Sequence, residues 1–132
     1  MVSLLTKCFV LGCAGVTMDI VFTGVRYYMK TGDLTLQGKS QIWILPLFAL
    51  AGLILTYIPD FISRRHLFIR IPFYAFLIMF IELVSGLLFI YFIGECPWVY
   101  TEGWHVYGCM RVDYFPWWML GAGILEYIYK II

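Results

Sequence analysis

The chain has 132 residues, of which 63% are hydrophobic, 20% aromatic and only 13% charged. This composition lies well outside the range of soluble domains and predicts an integral membrane protein. Nine Lys and Arg residues balance eight Asp and Glu residues, and no basic run exceeds the pair Arg64 and Arg65, so nucleic acid is not expected as a partner.

Four apolar segments are long enough to cross a bilayer as helices. They cover approximately residues 8–28, 42–59, 72–93 and 115–132. Pro72 and Pro116 stand where the third and fourth segments open, and a missing amide is harmless there. The sequence therefore predicts an all-α fold, a single membrane domain over residues 1–132 built as a bundle of four transmembrane helices. The first helix is expected to remain uncleaved.

The orientation of the bundle follows from its basic residues. With four spans, both termini lie on the side of the loop between the second and third helices, which contains Arg64, Arg65 and Arg70. Lys and Arg are otherwise almost evenly divided between the two sides, so this loop decides the direction. We expect a multi-pass protein with both termini in the cytoplasm.

Three carboxylic acids, Asp19, Glu82 and Glu126, each lie about eleven residues from the start of an apolar segment. At a rise of ~1.5 Å per residue this depth is roughly 16 Å, close to the middle of a ~30 Å hydrocarbon layer. No Lys or Arg is expected at that depth, and a lone intramembrane acid indicates function by default.

Small residues accompany each acid, which predicts close helix contacts and a shared interior cluster. In the alternative interpretation the acids are protonated and only hold helices together through hydrogen bonds.

Residues 94–114, between the third and fourth helices, differ in character from the rest of the chain. Two interpretations are open: an aromatic belt at the headgroup level, or a cap folded over an internal cavity. The residues that would form this aromatic loop cap are Cys96, Pro97, Trp98, Tyr100, Trp104, Tyr114 and Trp117.

Two of the four cysteines, Cys96 and Cys109, flank this loop with twelve residues between them. They could form a disulfide if the loop faces an oxidising compartment, or stay as two unpaired thiols. His105 lies between them, but the spacing lacks the close pairing of structural zinc motifs. The sequence predicts no metal site and requires no cofactor.

The string CPWVYT, residues 96–101, resembles the C-P-W-x-Y-[ST] signature of the transmembrane protein 229 family and its bacterial relatives, the CmpB-like ABC-transporter permeases. The resemblance runs from about Gly12 to Ile132 and implies a four-helix membrane fold with acids at the three positions above. Asp19 stands where the family has Glu, and no family counterpart is expected for Cys109. Other matching positions are Gly38, Ser40, Trp43, Arg70, Tyr74, Gly86, Gly108, Asp113, Tyr114, Pro116, Trp117 and Gly121.

Two classes of function fit these features. The first, which we favour, is a transporter or an ion- or proton-coupled permease that works as a homo-oligomer, with the three carboxylates binding a proton or small cation. The second is a membrane-embedded enzyme or lipid-binding module, with the carboxylates as acid, base or metal ligands under the loop. The expected partners are the lipid bilayer, further copies of the chain and a proton, small cation or lipid-like ligand.

Overall fold

A computed structural model describes all residues from Met1 to Ile132. About 70% of the chain is helical, which confirms the predicted all-α class. The helices are α1 (Leu4–Thr31), α2 (Ile44–Tyr57), α3 (Asp60–Ser63), α4 (Leu67–Ile93) and α5 (Phe115–Ile131). Two short antiparallel strands, β1 (His105–Val106) and β2 (Met110–Arg111), lie between α4 and α5.

Two of these helices, α1 with 28 residues and α4 with 27, are long and apolar enough to cross a membrane. The apolar helix α2 has only 14 residues and α5 has 17. Helices of this length and apolarity also occur in the cores of soluble proteins and, near the N-terminus, in signal sequences. The four crossings stay a prediction.

The start of α4 differs from the sequence prediction. It lies at Leu67, because His66 caps the helix through its ring nitrogen, which accepts from the N–H of Phe68 at 3.3 Å. Pro72 is therefore inside the helix, and Arg70 belongs to its first turns rather than to the preceding loop. The predicted end of α4 at Ile93 and the predicted start of the last helix at residue 115 are confirmed.

The chain divides into two compact units, residues 1–56 with 128–132, and residues 57–127. The single membrane domain over residues 1–132 stays a prediction.

In the first unit, the first half of α1 packs against α2 through glycines. A methyl group on Gly12 would meet the carbonyl oxygen of Leu45 at 2.7 Å, and one on Gly52 would meet the Cα of Cys8 at 2.8 Å. A methyl group on Gly15 would lie even closer to the ring of Phe48. The backbones approach closely because these positions lack side chains, as predicted for small residues in apolar helices.

The second half of α1 is covered by residues 33–40, which are not helical and fold back along it. The Thr23 hydroxyl donates to the Lys39 carbonyl and accepts from the Lys39 N–H, both at 2.9 Å. Gly24 lies beneath the Leu36 carbonyl, which a methyl group there would meet at 2.7 Å. The folded-back segment therefore has part of its backbone hydrogen bonding supplied by the helix that it covers.

The second unit is built in the same way. The first half of α4 packs against α5, with a groove between them that both helices line. The second half of α4 is covered by residues 94–114, whose Trp98 ring meets the Phe89 ring edge-on at 5.8 Å between centroids. Each unit thus contains a long apolar helix, a folded-back segment and a shorter helix.

Equivalent positions of the two long helices carry related residues. Asp19 is the sixteenth residue of α1, and Glu82 is the sixteenth residue of α4. Lys7 and Arg70 are the fourth residues of the same two helices. Each helix ends at a glycine with positive φ, +70° at position 32 and +94° at position 94, a conformation that favours glycine.

Candidate functional site around Glu82

Glu82 lies in α4 at the point where the folded-back loop meets the helix. The Tyr100 hydroxyl donates to its Oε1 at 2.5 Å, a short hydrogen bond. Tyr100 is held in place by its own N–H, which donates to the Gly108 carbonyl at 2.9 Å. Its ring also meets the Tyr114 ring edge-on at 5.7 Å.

The other inward-facing residues of the loop rest on the helix one turn further along. Cys96 and Cys109 are buried, and a methyl group on Gly86 would lie within 3.2 Å of both sulfurs. The indole N–H of Trp98 donates to the Cys109 carbonyl at 2.9 Å. Cysteine, tryptophan and tyrosine of the C-P-W-x-Y string therefore form the underside of the loop.

The outer part of the loop is organised by Arg111. Its Nε donates to Asp113 at 3.1 Å, its Nη1 donates to the Tyr114 hydroxyl at 2.6 Å, and its guanidinium lies 3.9 Å from the centre of the Tyr114 ring. The hydrogen bonds from Arg111 hold the pKa of Asp113 below its usual value. Of the predicted cap residues, Trp104 and Trp117 face outward, with 75% and 54% of their surface exposed.

Glu126 has a different environment. It is buried, with 7% exposure, and its two carboxylate oxygens accept from Arg70 Nε at 2.6 Å and Nη2 at 2.7 Å. Tyr74 lies against the same carboxylate. The sequence expectation that no Lys or Arg reaches the acids is corrected for Glu126, which forms one half of a buried, bidentate ion pair.

This ion pair also fixes the position of Glu126 along the axis of α4. The same guanidinium donates to the Arg65 carbonyl at 2.8 Å, and Arg65 precedes the first residue of α4. The carboxylate therefore lies beside the start of α4, whereas Glu82 is twelve residues, about 18 Å, further along the axis than Arg70.

Glu82 and Glu126 would lie at the same depth only if the end of α4 and the start of α5 were at the same level. In the structure residues 94–114 fold back along α4, as the contacts of Tyr100 with Glu82 and of Cys109 with Gly86 show. The helix α5 therefore begins beside the middle of α4 rather than beside its end.

Asp19 belongs to the first unit, where it is partly exposed. The buried hydroxyl of Ser40, from the folded-back segment, lies next to its carboxylate but outside close hydrogen-bond geometry. Asp19 and Glu82 thus share both a helix position and a neighbouring hydroxyl from the segment that covers the helix.

Sequence reasoning named Tyr100 as a cap residue but missed the roles of Arg70 and Ser40. An arginine near the end of one apolar segment and an acid near the end of another were the available signal for the ion pair. No group of three or more His, Cys, Asp or Glu side chains is placed to hold a metal ion.

Comparison of the chain with family models, with curated proteins and with solved structures gives no match.

Proposed function

We propose that the chain is a membrane protein of four crossings that transports, or couples transport to, a proton or small cation, with Glu82 as the group that binds it. The observation that supports this proposal is the 2.5 Å hydrogen bond from Tyr100 to Glu82, made where a non-helical segment meets a long apolar helix. Tyr100 acts as the gate residue in this proposal, because its hydroxyl occupies Oε1, one of the two carboxylate oxygens to which a proton or cation would bind.

The partners of the two glutamates in the second unit suit them to different roles. A phenol is neutral, so its hydrogen bond can be exchanged for a proton or cation without leaving a second charge behind. Separating Glu126 from Arg70 would instead leave an uncompensated buried charge, at a cost of about 3–5 kcal/mol. We therefore assign Glu82 to ion binding and Glu126 to stabilisation of the α4–α5 packing.

Asp19 is the corresponding carboxylate of the first unit in this proposal. It has the same position in its helix as Glu82, and the Ser40 hydroxyl takes the place of the Tyr100 hydroxyl. Each chain then has two carboxylate sites, and in each site an acid of a long helix lies beside a hydroxyl group from the segment that covers the helix.

The short helices also fit a membrane protein in which some helices end inside the bilayer and non-helical segments continue beside the long helices. The 14 residues of α2 extend about 21 Å, less than the ~30 Å of a hydrocarbon core. The folded-back segments cover the remaining length of the long helices, and non-helical backbone is tolerated at such depth where protein groups satisfy it. Ion sites of transporters lie at breaks of this kind.

The resemblance to the transmembrane protein 229 family supports the same proposal. Its signature residues Cys96, Trp98 and Tyr100 are those whose contacts place the loop on α4. We propose a permease function on the four-helix membrane fold that the resemblance implies, with both termini cytoplasmic, the loop of residues 94–114 on the opposite side and a homo-oligomeric assembly.

The test is ion flux in liposomes that contain the purified chain, under an imposed proton gradient and then under gradients of small monovalent cations. Glu82→Gln keeps the size of the side chain but removes its charge, and flux should fall at least about tenfold, the effect of ~1.4 kcal/mol. The matched control is the double variant Arg70→Met/Glu126→Met, which should retain flux. Flux through Glu82→Gln equal to that of the unsubstituted chain would contradict the proposal.

A second candidate function is the binding of an anionic phospholipid. The groove between α4 and α5 has a volume of about 430 Å³ and an almost wholly apolar lining that includes Leu67, Leu120 and Gly123. The exposed side chains of Arg64 and Arg65 immediately precede the helix whose first residues line it. An acyl chain in the groove would therefore place a phosphate headgroup beside two guanidinium groups.

Native mass spectrometry with phosphatidylglycerol and phosphatidylcholine distinguishes this candidate. Preference for the anionic lipid, lost in Arg64→Gln/Arg65→Gln and reduced by the larger Gly123→Leu side chain, is the expected result. Equal retention of both lipids by the unsubstituted chain would exclude it.

A further inference from the structure

Cys96 and Cys109 come from opposite ends of the folded-back loop and meet over one residue of α4. Their exposures are 8% and 0%. A methyl group on Gly86 would lie 2.7 Å from the sulfur of Cys109 and 3.2 Å from the sulfur of Cys96. Both cysteines are free thiols, and the Cys109 thiol donates to the Tyr107 carbonyl at 3.5 Å.

The backbone around the two cysteines is already joined by hydrogen bonds. The Trp98 indole donates to the Cys109 carbonyl at 2.9 Å, and the Tyr100 N–H donates to the Gly108 carbonyl at 2.9 Å. These bonds hold the segment that contains Cys96 beside the turn that contains Cys109, and a disulfide needs such an arrangement because its sulfurs must approach to about 2 Å.

We propose that Cys96 and Cys109 are a thiol modification site that is oxidised to a disulfide, which locks the loop of residues 94–114 over Glu82. The bridge would tie the segment before Tyr100 to the hairpin after it. The Tyr100 hydroxyl would then stay within reach of the carboxylate, whereas in the reduced protein only packing and hydrogen bonds such as that from Tyr100 to Glu82 hold the loop on α4.

The oxidant required is a disulfide, either a small-molecule disulfide or that of a thiol oxidase. The thiolate of one cysteine attacks the oxidant disulfide, forms a mixed disulfide and releases one thiolate from the oxidant. The second cysteine thiolate attacks the first cysteine sulfur and releases the other half of the oxidant. The protein thus loses two electrons and two protons, and the oxidant becomes two thiols.

The order of events follows from burial. Burial, together with the nearby Cys109 and Glu82, raises the pKa of Cys96 to about 12, so the docked thiol is scarcely ionised at neutral pH. The exchange must therefore take place while the loop is open, during folding or during gating. It also requires the loop to face an oxidising compartment, opposite the segment that contains Arg64 and Arg65.

This inference uses the gate and orientation of the proposed function, but its primary test does not depend on transport. The full chain is purified without reductant from cells lysed in N-ethylmaleimide and is then denatured in fresh N-ethylmaleimide, so that buried free thiols also react. Its labelled cysteines are counted by intact mass and peptide mapping. Two labels, on Cys8 and Cys13, are expected before reduction, and four afterwards. Cys8→Ser/Cys13→Ser is the matched control and should keep the bridge.

Labelling of all four cysteines before reduction, or a bridge that includes Cys8 or Cys13, would overturn the proposal. A second readout is protease cleavage within residues 94–114. Reductant should accelerate it on the order of a hundredfold, the effect expected from opening a ring of this size. The Cys96→Ser/Cys109→Ser variant should show no response to reductant, and an equal response in this variant would also overturn the proposal.

Discussion

The two units of the molecule contain the same kinds of element, but different contacts hold these elements together. Each has a long apolar helix whose sixteenth residue is an acid, Asp19 in one and Glu82 in the other. In the first unit an eight-residue segment beside Asp19 is attached through Thr23 and brings only the small hydroxyl of Ser40. In the second, a 21-residue loop brings Tyr100 and a pair of buried thiols.

The comparison indicates which features the two units share and which occur in only one of them. An acid beside a hydroxyl occurs in both, so we propose it as the functional element. The buried ion pair of Arg70 and Glu126 occurs only in the second unit, where it joins α4 to α5. Lys7, at the position that matches Arg70, instead lies 4.3 Å from the centre of the Tyr129 ring.

The largest effect is expected from breaking this ion pair. Arg70→Met leaves the buried Glu126 carboxylate without its bidentate partner and should destabilise the fold by about 3–5 kcal/mol. The double variant Arg70→Met/Glu126→Met should recover most of this loss, since both charges are removed. The free energy of unfolding in detergent measures both.

The matched change in the first unit is Lys7→Met, which removes a partly exposed cation and should cost about 1 kcal/mol or less. If Lys7→Met costs as much as Arg70→Met, the contrast between the two units fails.

A smaller effect is expected where the loop rests on α4. Gly86→Ala places a methyl group 2.6 Å from the Cβ of Cys109, and overpacking of this kind costs about 1–3 kcal/mol. Gly123→Ala is the control, because nothing lies within 4 Å of its added methyl group and alanine favours the helix by up to about 1 kcal/mol. Thermal unfolding of both variants, with opposite signs expected, checks the loop docking.

Removal of the hydroxyl beside Glu82 should cost more stability than removal of the hydroxyl beside Asp19. Tyr100→Phe removes a hydrogen bond to a carboxylate and should cost about 1.5–3 kcal/mol. Ser40→Ala should cost less, because the Ser40 hydroxyl makes no close hydrogen bond. Both are measured by chemical unfolding, and a greater cost for Ser40→Ala would reverse the ranking of the two sites.

A separate effect concerns alkaline pH in the reduced protein. The folded state raises the pKa of Cys96 from 9.0 to about 12, because the buried thiolate is disfavoured. Its contribution to stability is fully present below pH 9 and is lost as pH rises from 9 towards 12, where the unfolded chain ionises first. Cys96→Ser should lack this pH dependence, and an identical pH profile would contradict the assigned pKa.

Helix bounds that depend on local chemistry could be predicted from the sequence. Ile93 and residue 115 were placed correctly because glycine and proline lie next to them. The start of α4 is an exception: Pro72 predicts a first-turn position, but the helix begins earlier because its cap, His66, lies six residues before Pro72.

The candidate site was harder to predict because it depends on contacts distant in sequence. Tyr100 is 18 residues from Glu82, and Arg70 is 56 residues from Glu126. Counting residues within single helices predicts no offset between them, whereas in the structure residues 94–114 fold back beside α4 and α5 is displaced along it.

The most direct test of the central claim is infrared difference spectroscopy of the carboxyl groups during a pH titration in liposomes. We predict that a protonated-carboxyl band disappears in Glu82→Gln, shifts in Tyr100→Phe when the phenol hydrogen bond is lost, and persists in Arg70→Met/Glu126→Met. A band that persists in Glu82→Gln and disappears in the double variant would contradict the account, because Glu126 would then be the group that exchanges the proton.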